Sequence, residues 1–297
     1  MWRRLVILWR ILRGRRYGKY FDANGVRIHY RVTGEGAPVV LIHGITSNAD
    51  GIWGYPGTTD LLAARYQIIA MDVRGHGLSD KPHEQNAYGL ELVHDVARLL
   101  DHLGIKKAHI IGYSLGALIT IKFVALYPER IITAAPCGAG RVEDTPENRA
   151  LVASLQQGLQ RTRDFTPLFT ALDPRGRQPG RLRMAILNWY LRRTNDVEAI
   201  AALAGSLENL VVHDEELQHN PVPVLSVIGS RDPMKGAIDR MTGLLPHHEV
   251  IVLDHCDHFT TFFSRRFQRT LLAFLNDGGK ALCHEPPALL QEPVEIR

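Results

Sequence analysis

Ser114 lies in Gly112-Tyr113-Ser114-Leu115-Gly116, between the short apolar run Ala108-His109-Ile110-Ile111 and an apolar stretch over 118–126 that Tyr127-Pro128 ends. That pattern predicts a buried strand, a tight turn and a helix. So tight a turn strains the serine backbone, and Gly112 and Gly116 mark where neighbouring chain approaches with no room for a Cβ. It also sets the Ser114 hydroxyl at a helix N-terminus, where free N–H groups and the positive end of the helix dipole suit a developing oxyanion. A serine hydroxyl attacks an acyl carbon at neutral pH only with a base in hydrogen-bond reach, and that base needs a carboxylate to orient it. Asp232, in Gly229-Ser230-Arg231-Asp232-Pro233, and His258, in Asp254-His255-Cys256-Asp257-His258-Phe259, are the candidates. Other readings exist for both. A lone Asp in a turn commonly serves only as a turn former, and His255-x-x-His258 flanked by carboxylates is also a metal-ligand spacing.

Each of these side chains follows an apolar run that reads as a strand: Val224-Leu225-Ser226-Val227-Ile228 before the Asp232 loop, and Val250-Ile251-Val252-Leu253 before His258. Upstream, Val39-Val40-Leu41-Ile42 leads into His43-Gly44-Ile45-Thr46, and Ile68-Ile69-Ala70-Met71-Asp72 leads into Val73-Arg74-Gly75-His76-Gly77-Leu78-Ser79-Asp80. Together these stretches resemble the α/β-hydrolase fold superfamily, in the chain order Ser, Asp, His that its members use, over roughly residues 20–276.

The resemblance implies an α/β fold with a mostly parallel central sheet flanked by helices and an all-helical cap inserted at 141–219. It implies Ser114 as nucleophile, His258 as general base and Asp232 as the carboxylate behind it. The amides of Leu115 and of Ile45, the residue after His43-Gly44, would form the oxyanion hole. His43 would pack or hydrogen-bond nearby, and the loop through His76 would be architectural. A serine at position 114 argues against the dehalogenase and epoxide-hydrolase branches, which place an aspartate there. The expected activity is hydrolysis of a carboxylic ester, including lipid-like acyl esters, through an acyl-enzyme. Alternatives on the same serine are a C–C bond in a vinylogous diketone, a small-peptide amide, or perhydrolysis. A ligand receptor retaining the fold without turnover is a further one. No cofactor or metal is required, and no nucleotide-binding glycine motif is present.

Around these motifs the chain reads as a framework. Asp22-Ala23-Asn24-Gly25 between alternating segments predicts an antiparallel hairpin at the domain's start. Three glycines and a proline over 48–60 predict a loop before a short helix at 61–65, with Trp53 and Tyr55 either lining a pocket or plugging the core. Residues 90–103 carry apolar positions at helical spacing closed by Gly104, and 131–135 reads as a strand. Helical segments are predicted at 149–161, 181–192 and 196–210. In the second, Leu182, Ile186, Trp189 and Tyr190 would face the pocket or the cap core. From Arg161 to Arg193 there are eight arginines and two acids, either a solvated surface or a face for an anionic membrane or acidic substrate. A helix from Thr260, with Phe263, Phe267, Leu271 and Phe274 inward, closes the core at 277, and 278–297 reads as a mobile tail.

With 297 residues, 45% of them hydrophobic, the chain suffices for one sizeable domain carrying an insertion. Three cysteines, Cys137, Cys256 and Cys283, make no disulfide framework or zinc ribbon, and a reducing, cytoplasmic compartment is the simplest reading. The formal charge of +4 is local: the first 20 residues hold seven basic groups and no acid, leaving 28 basic against 31 acidic in the rest. The body is therefore no nucleic-acid binder on charge grounds. Residues 1–19 form a separate basic segment in which Trp2, Leu5, Trp9 and Leu12 make an apolar stripe at helical spacing. Residues 5–9 are too short an apolar run to span a bilayer, and no small-residue cleavage site follows. The segment reads as a peripheral membrane contact through residues 1–16, as a helix docked on protein, or as an organelle transit peptide.

Overall fold

The computed structural model describes residues 18–172 and 180–278. The basic N-terminal stripe, Cys283 and most of the expected tail lie outside the described residues. Eight strands form one sheet: β1 (Lys19–Asp22), β2 (Arg27–Thr33), β3 (Ala37–Ile42), β4 (Tyr66–Met71), β5 (Ala108–Tyr113), β6 (Ile131–Cys137), β7 (Val224–Gly229) and β8 (His248–Leu253). Their spatial order is β1-β2-β4-β3-β5-β6-β7-β8. β2 is antiparallel to β1 and β4, and the other pairs are parallel. The hairpin joining β1 and β2 turns at Asn24 and Gly25, both with positive φ (58° and 83°), as its Asn-Gly demands.

β3, β5 and β7 are almost wholly buried because both faces of the sheet are covered, which is why they read as nearly continuous apolar runs, broken only by His109 and Ser226. On one face lie α2 (Leu90–His102) and α3 (Leu115–Leu126), contributing Leu92, Val96, Ile119 and Phe123 to a core with Val40, Ile42 and Ile110. Against the other pack α1 (Thr58–Ala63) and α10 (Arg265–Asn276), through Leu62, Phe267, Leu271 and Phe274 on Val39, Leu41 and Ile111. Between β6 and β7, among the described residues, come five helices and no strand: α4 (Pro146–Thr162), α5 (Thr166–Leu172), α6 (Arg181–Thr194), α7 (Val197–Gly205) and α8 (Asp214–Gln218). Leu155, Leu159, Phe165, Leu168, Leu191 and Ile200 give this insertion a small core of its own. A last short helix, α9 (Lys235–Asp239), follows β7.

Several local expectations need correction. The glycine-rich stretch is helical rather than open: Asp50–Gly54 winds into a π-helical turn, and α1 begins at Thr58 and not at 61. The helix after Ser114 starts directly at Leu115, instead of at 118. The segment from Thr260 is broken, with a 3₁₀ turn at Thr261–Phe263 and then α10, whose N-cap Ser264 accepts a hydrogen bond from the Arg266 amide at 3.2 Å. Phe263 therefore leaves the helical stripe and stays exposed. The segment 196–210 divides into α7 and a 3₁₀ turn at Leu207–Leu210.

Candidate active site

β5 delivers Tyr113 and Ser114 to the C-terminal edge of the sheet. Ser114 has φ 56° and ψ −113°, a region costly for a residue with a Cβ. Its amide is held by the Cys137 carbonyl at 2.8 Å. The two flanking glycines are required by close approach: a Cβ on Gly112 would lie 2.0 Å from the Gly116 carbonyl oxygen, and one on Gly116 would lie 2.1 Å from that of Ile42. Strand β5 thus passes into α3 with no intervening residue to spare.

Two other strand ends bring their loops to the same point. His258 Nε2 lies 3.0 Å from Ser114 Oγ, and its Nδ1 lies 2.9 Å from Asp232 Oδ2. A carboxylate only accepts hydrogen bonds, so the pairing assigns the proton to Nδ1 and leaves Nε2 free to accept from the serine hydroxyl. Asp232 and His258 are buried, and the Met234 amide donates to Asp232 Oδ1 at 2.9 Å, fixing the carboxylate's second oxygen. The Tyr113 hydroxyl donates to the His258 carbonyl at 2.6 Å. Serine, imidazole and carboxylate form one continuous chain of hydrogen bonds.

The loop after β3 passes beside the serine: a Cβ on Gly44 would come within 3.2 Å of Ser114 Cβ. The Val73 amide donates to His43 Nε2 at 3.0 Å, so His43 is the Nδ1–H tautomer and donates to the Gly44 carbonyl at 2.8 Å. Burial lowers the His43 pKa, and burial together with the nearby His43 pushes His76 down to about 3, so both rings are neutral struts. The amides of Ile45 and Leu115, the second in the first turn of α3, have no acceptor among the described hydrogen bonds.

Asp72, at the end of β4, ties the same region together. Burial alone would raise its carboxyl. Hydrogen bonds from His29 Nδ1 and the Ala49 and Leu78 amides, each 2.9 Å, overcome that and hold it down at about 2. Behind it Arg74 makes a bidentate pair with Asp95, both bonds 2.6 Å.

In front of Ser114 and His258 opens a cavity of about 880 Å³. Leu168, Phe169 and Leu172 of α5 and Leu187 and Leu191 of α6 line it from the helical insertion, and Ile45, Ile52 and Phe262 line it from the sheet domain. Phe259 also lines it and meets Phe169 with ring centroids 6.1 Å apart, joining the two parts of the chain. Among the described residues Arg231 and Lys235 are the cations on its wall, the Lys235 ammonium being paired with Asp239 at 2.7 Å.

A family model of the alpha/beta hydrolase fold matches residues 37–264. The chain belongs to the alpha/beta hydrolase fold family. Among relatives of this family, the chain is similar to a 2-hydroxy-6-oxononadienedioate/2-hydroxy-6-oxononatrienedioate hydrolase of Burkholderia vietnamiensis, 26% identical over 86% of this chain and 92% of that protein. It is 29% identical, over 64% of its length, to a dihydrolipoyllysine-residue acetyltransferase component of the acetoin cleaving system of Cupriavidus necator. There it spans about half (49%) of that relative's length. Among solved structures, a meta-cleavage product hydrolase from Pseudomonas fluorescens superposes with a TM-score of 0.67 at 26% identity, covering 88% of this chain and 98% of that one.

Within this alpha/beta hydrolase, the sequence candidates fall into four groups. Ser114, Asp232 and His258 meet directly, and Gly44-Ile45 and Leu115 flank the serine. Trp53 and Tyr55 do not line the cavity: Trp53 is buried, stacked on Phe267 at 6.4 Å, and Tyr55 packs on Phe263 at 5.7 Å, leaving Ile52 as the lining residue. Leu182, Ile186, Trp189 and Tyr190 face neither the cavity nor the insertion's core; all four are exposed, and the inward face of α6 is made by Met184, Leu187 and Leu191. His255 contacts Arg231 at 3.2 Å while His258 turns to Ser114, and among the described residues no group of three or more potential ligands is placed to hold a metal. Two contributors escaped the sequence. The Tyr113 hydroxyl sits at a variable position of the serine motif, and α5 has seven residues, too few to show a helical period.

Proposed function

We propose that the protein is a serine hydrolase that cleaves a carboxylic ester through an acyl-enzyme on Ser114. The contact chain from Ser114 through His258 to Asp232, opening on a largely apolar cavity, is the observation that carries this reading. In the reaction, Ser114 Oγ attacks the acyl carbon while His258 Nε2 takes its proton. Asp232 holds the imidazole in the Nδ1–H tautomer and stabilises the imidazolium. The amides of Leu115 and Ile45 receive the oxyanion, a role worth about 3 kcal/mol per donor in transition-state stabilisation. His258 returns the proton to the leaving alcohol. Water then attacks the acyl carbon with the same base, releasing the acid and restoring Ser114. The aliphatic and aromatic lining from α5 and α6 suits an acyl or aryl group, which it shields from water.

A second reading is hydrolysis of a C–C bond in a vinylogous diketone carrying carboxylates. It is supported by the names of the Burkholderia and Pseudomonas relatives and by Arg231 on the cavity wall, which suits a carboxylate. A panel of aryl esters of graded acyl length, set beside 2-hydroxy-6-oxo-dienoates and small amides, separates the readings. Higher kcat/KM on the esters supports the first reading; a preference for the dienoates replaces it with the second. In either case Ser114→Ala abolishes turnover, whereas a receptor would have none to lose.

A further inference from the structure

We propose that helix α6 is a docking surface that seats the helical insertion on an anionic lipid bilayer. Leu182, Ile186, Trp189 and Tyr190 are 76%, 58%, 59% and 56% exposed, an unusual outlay of large apolar surface on one short helix. At 3.6 residues per turn they fall within about 100° of the helix circumference, opposite Met184, Leu187 and Leu191. The helix is held in that rotation. Asn188 accepts from the Phe165 amide and donates to Thr166 Oγ1, both at 2.9 Å, so the outer stripe cannot roll inward without breaking the bonds to α5.

The charges identify the occupant. α6 contains Arg181, Arg183, Arg192 and Arg193 and no acidic residue. All four arginines are exposed, and none has an ion-pair partner among the described residues. Arg183 lies on one flank of the apolar stripe and Arg181 and Arg192 on the other, while Arg193 stacks over the Trp189 ring at 4.4 Å. Apolar residues including Trp and Tyr between rows of arginine are the composition of a helix lying in a lipid interface, stems and rings in the acyl boundary and guanidinium groups on phosphates. A second copy fits poorly, because a two-fold contact would bring the same uncompensated arginines together. Residues 1–17 fit poorly too, since they hold six arginines and no acid. Among the described residues no helix is long and apolar enough to cross a membrane, so the contact is interfacial. Leu187 and Leu191, on the opposite side of α6, line the cavity above Ser114, so a docked helix would stand between the lipid and that cavity.

The test is flotation of the full chain with phosphatidylcholine vesicles, with and without phosphatidylglycerol, combined with hydrogen exchange of the α6 amides. Binding to the anionic vesicles, weakening with salt, and slowed exchange across 181–194 are expected. The variant L182E/W189E, shown folded by its thermal transition, loses vesicle affinity by about tenfold or more, and R181Q/R183Q/R192Q loses the preference for anionic lipid. Absence of wild-type binding overturns the proposal, as does binding with α6 exchange unchanged, which would place the contact elsewhere, in residues 1–17 for instance. A dimer in solution that L182E/W189E dissociates would overturn it in favour of a second copy. None of these readouts depends on turnover at Ser114.

Discussion

Tyr113 and His258, 145 residues apart in sequence, are joined by a 2.6 Å hydrogen bond from the tyrosine hydroxyl to the histidine carbonyl. The residue before the proposed nucleophile thereby holds the backbone of the proposed base, and Tyr113 is buried with its ring packed on Phe262 at 5.2 Å. Tyr113→Phe keeps that packing and leaves the carbonyl without its donor. A loss of about 1 kcal/mol of stability is expected from urea unfolding, together with a lower kcat at unchanged KM on an aryl ester. A variant as active as the parent would remove the hydroxyl from the positioning of His258.

Asp232→Asn preserves shape while presenting an amide to His258 Nδ1. Donation from that amide favours the tautomer whose Nε2 already carries a proton and cannot accept from Ser114. A fall in kcat of about 10⁴-fold is expected, with little change in KM or thermal stability. A loss of under tenfold would mean that the 2.9 Å contact between Asp232 and His258 is structural only.

Gly44 separates loop placement from overall stability. A Cβ there would lie 3.2 Å from Ser114 Cβ, 3.3 Å from the Tyr113 carbonyl and 3.7 Å from Ser114 Oγ, so Gly44→Ala must shift the loop carrying the Ile45 amide by a few tenths of an ångström. Since misplacement by about 1 Å can cost 10²-fold, a kcat loss of about ten- to a hundredfold is expected with a nearly unchanged melting temperature. Unchanged kcat would remove the Ile45 amide from the oxyanion site.

Buried histidines set the acid stability. Burial lowers His109 from 6.5 to about 4 and His76 to about 3. Between the ordinary value and these folded values the unfolded chain binds more protons, so stability is fully present above pH 6.5 and declines as pH falls, by about 1.4 kcal/mol per pH unit for each histidine. Asp72, held at about 2, acts in the same direction in a lower window: its contribution is present above the ordinary value of 3.8 and disappears as pH falls toward 2. Urea titrations from pH 7 to 4 should show the decline, and His109→Asn, which removes the ring that meets Thr133 Oγ1 at 2.8 Å, should reduce its slope by about one proton. A flat profile would contradict neutral burial of these rings.

The sheet and the meeting of Ser114, Asp232 and His258 were legible because each rests on local sequence: a doubly covered strand is a nearly continuous apolar run, and a loop at its end carries one chemical group. Side chains acting across the fold were not. Nothing near Tyr113 announces that its hydroxyl will meet residue 258, and nothing near Asp72 announces donors from His29, Ala49 and Leu78. Glycines at 51, 54 and 57 pointed to a loop, yet Trp53 buried against Phe267 draws Asp50–Gly54 into a helical turn, tertiary packing overriding propensity. Periodicity showed that Leu182, Ile186, Trp189 and Tyr190 share a face of α6, but a stripe of that kind is inward in most helices, and only the structure showed it outward.

The proposed hydrolysis rests on an activated Ser114. Intact-protein mass after exposure to a fluorophosphonate, followed by peptide mapping, tests it without knowledge of the substrate. One adduct per chain is expected, on Ser114, and none in Ser114→Ala. A folded wild-type protein that stays unmodified, or carries the adduct elsewhere, would contradict it.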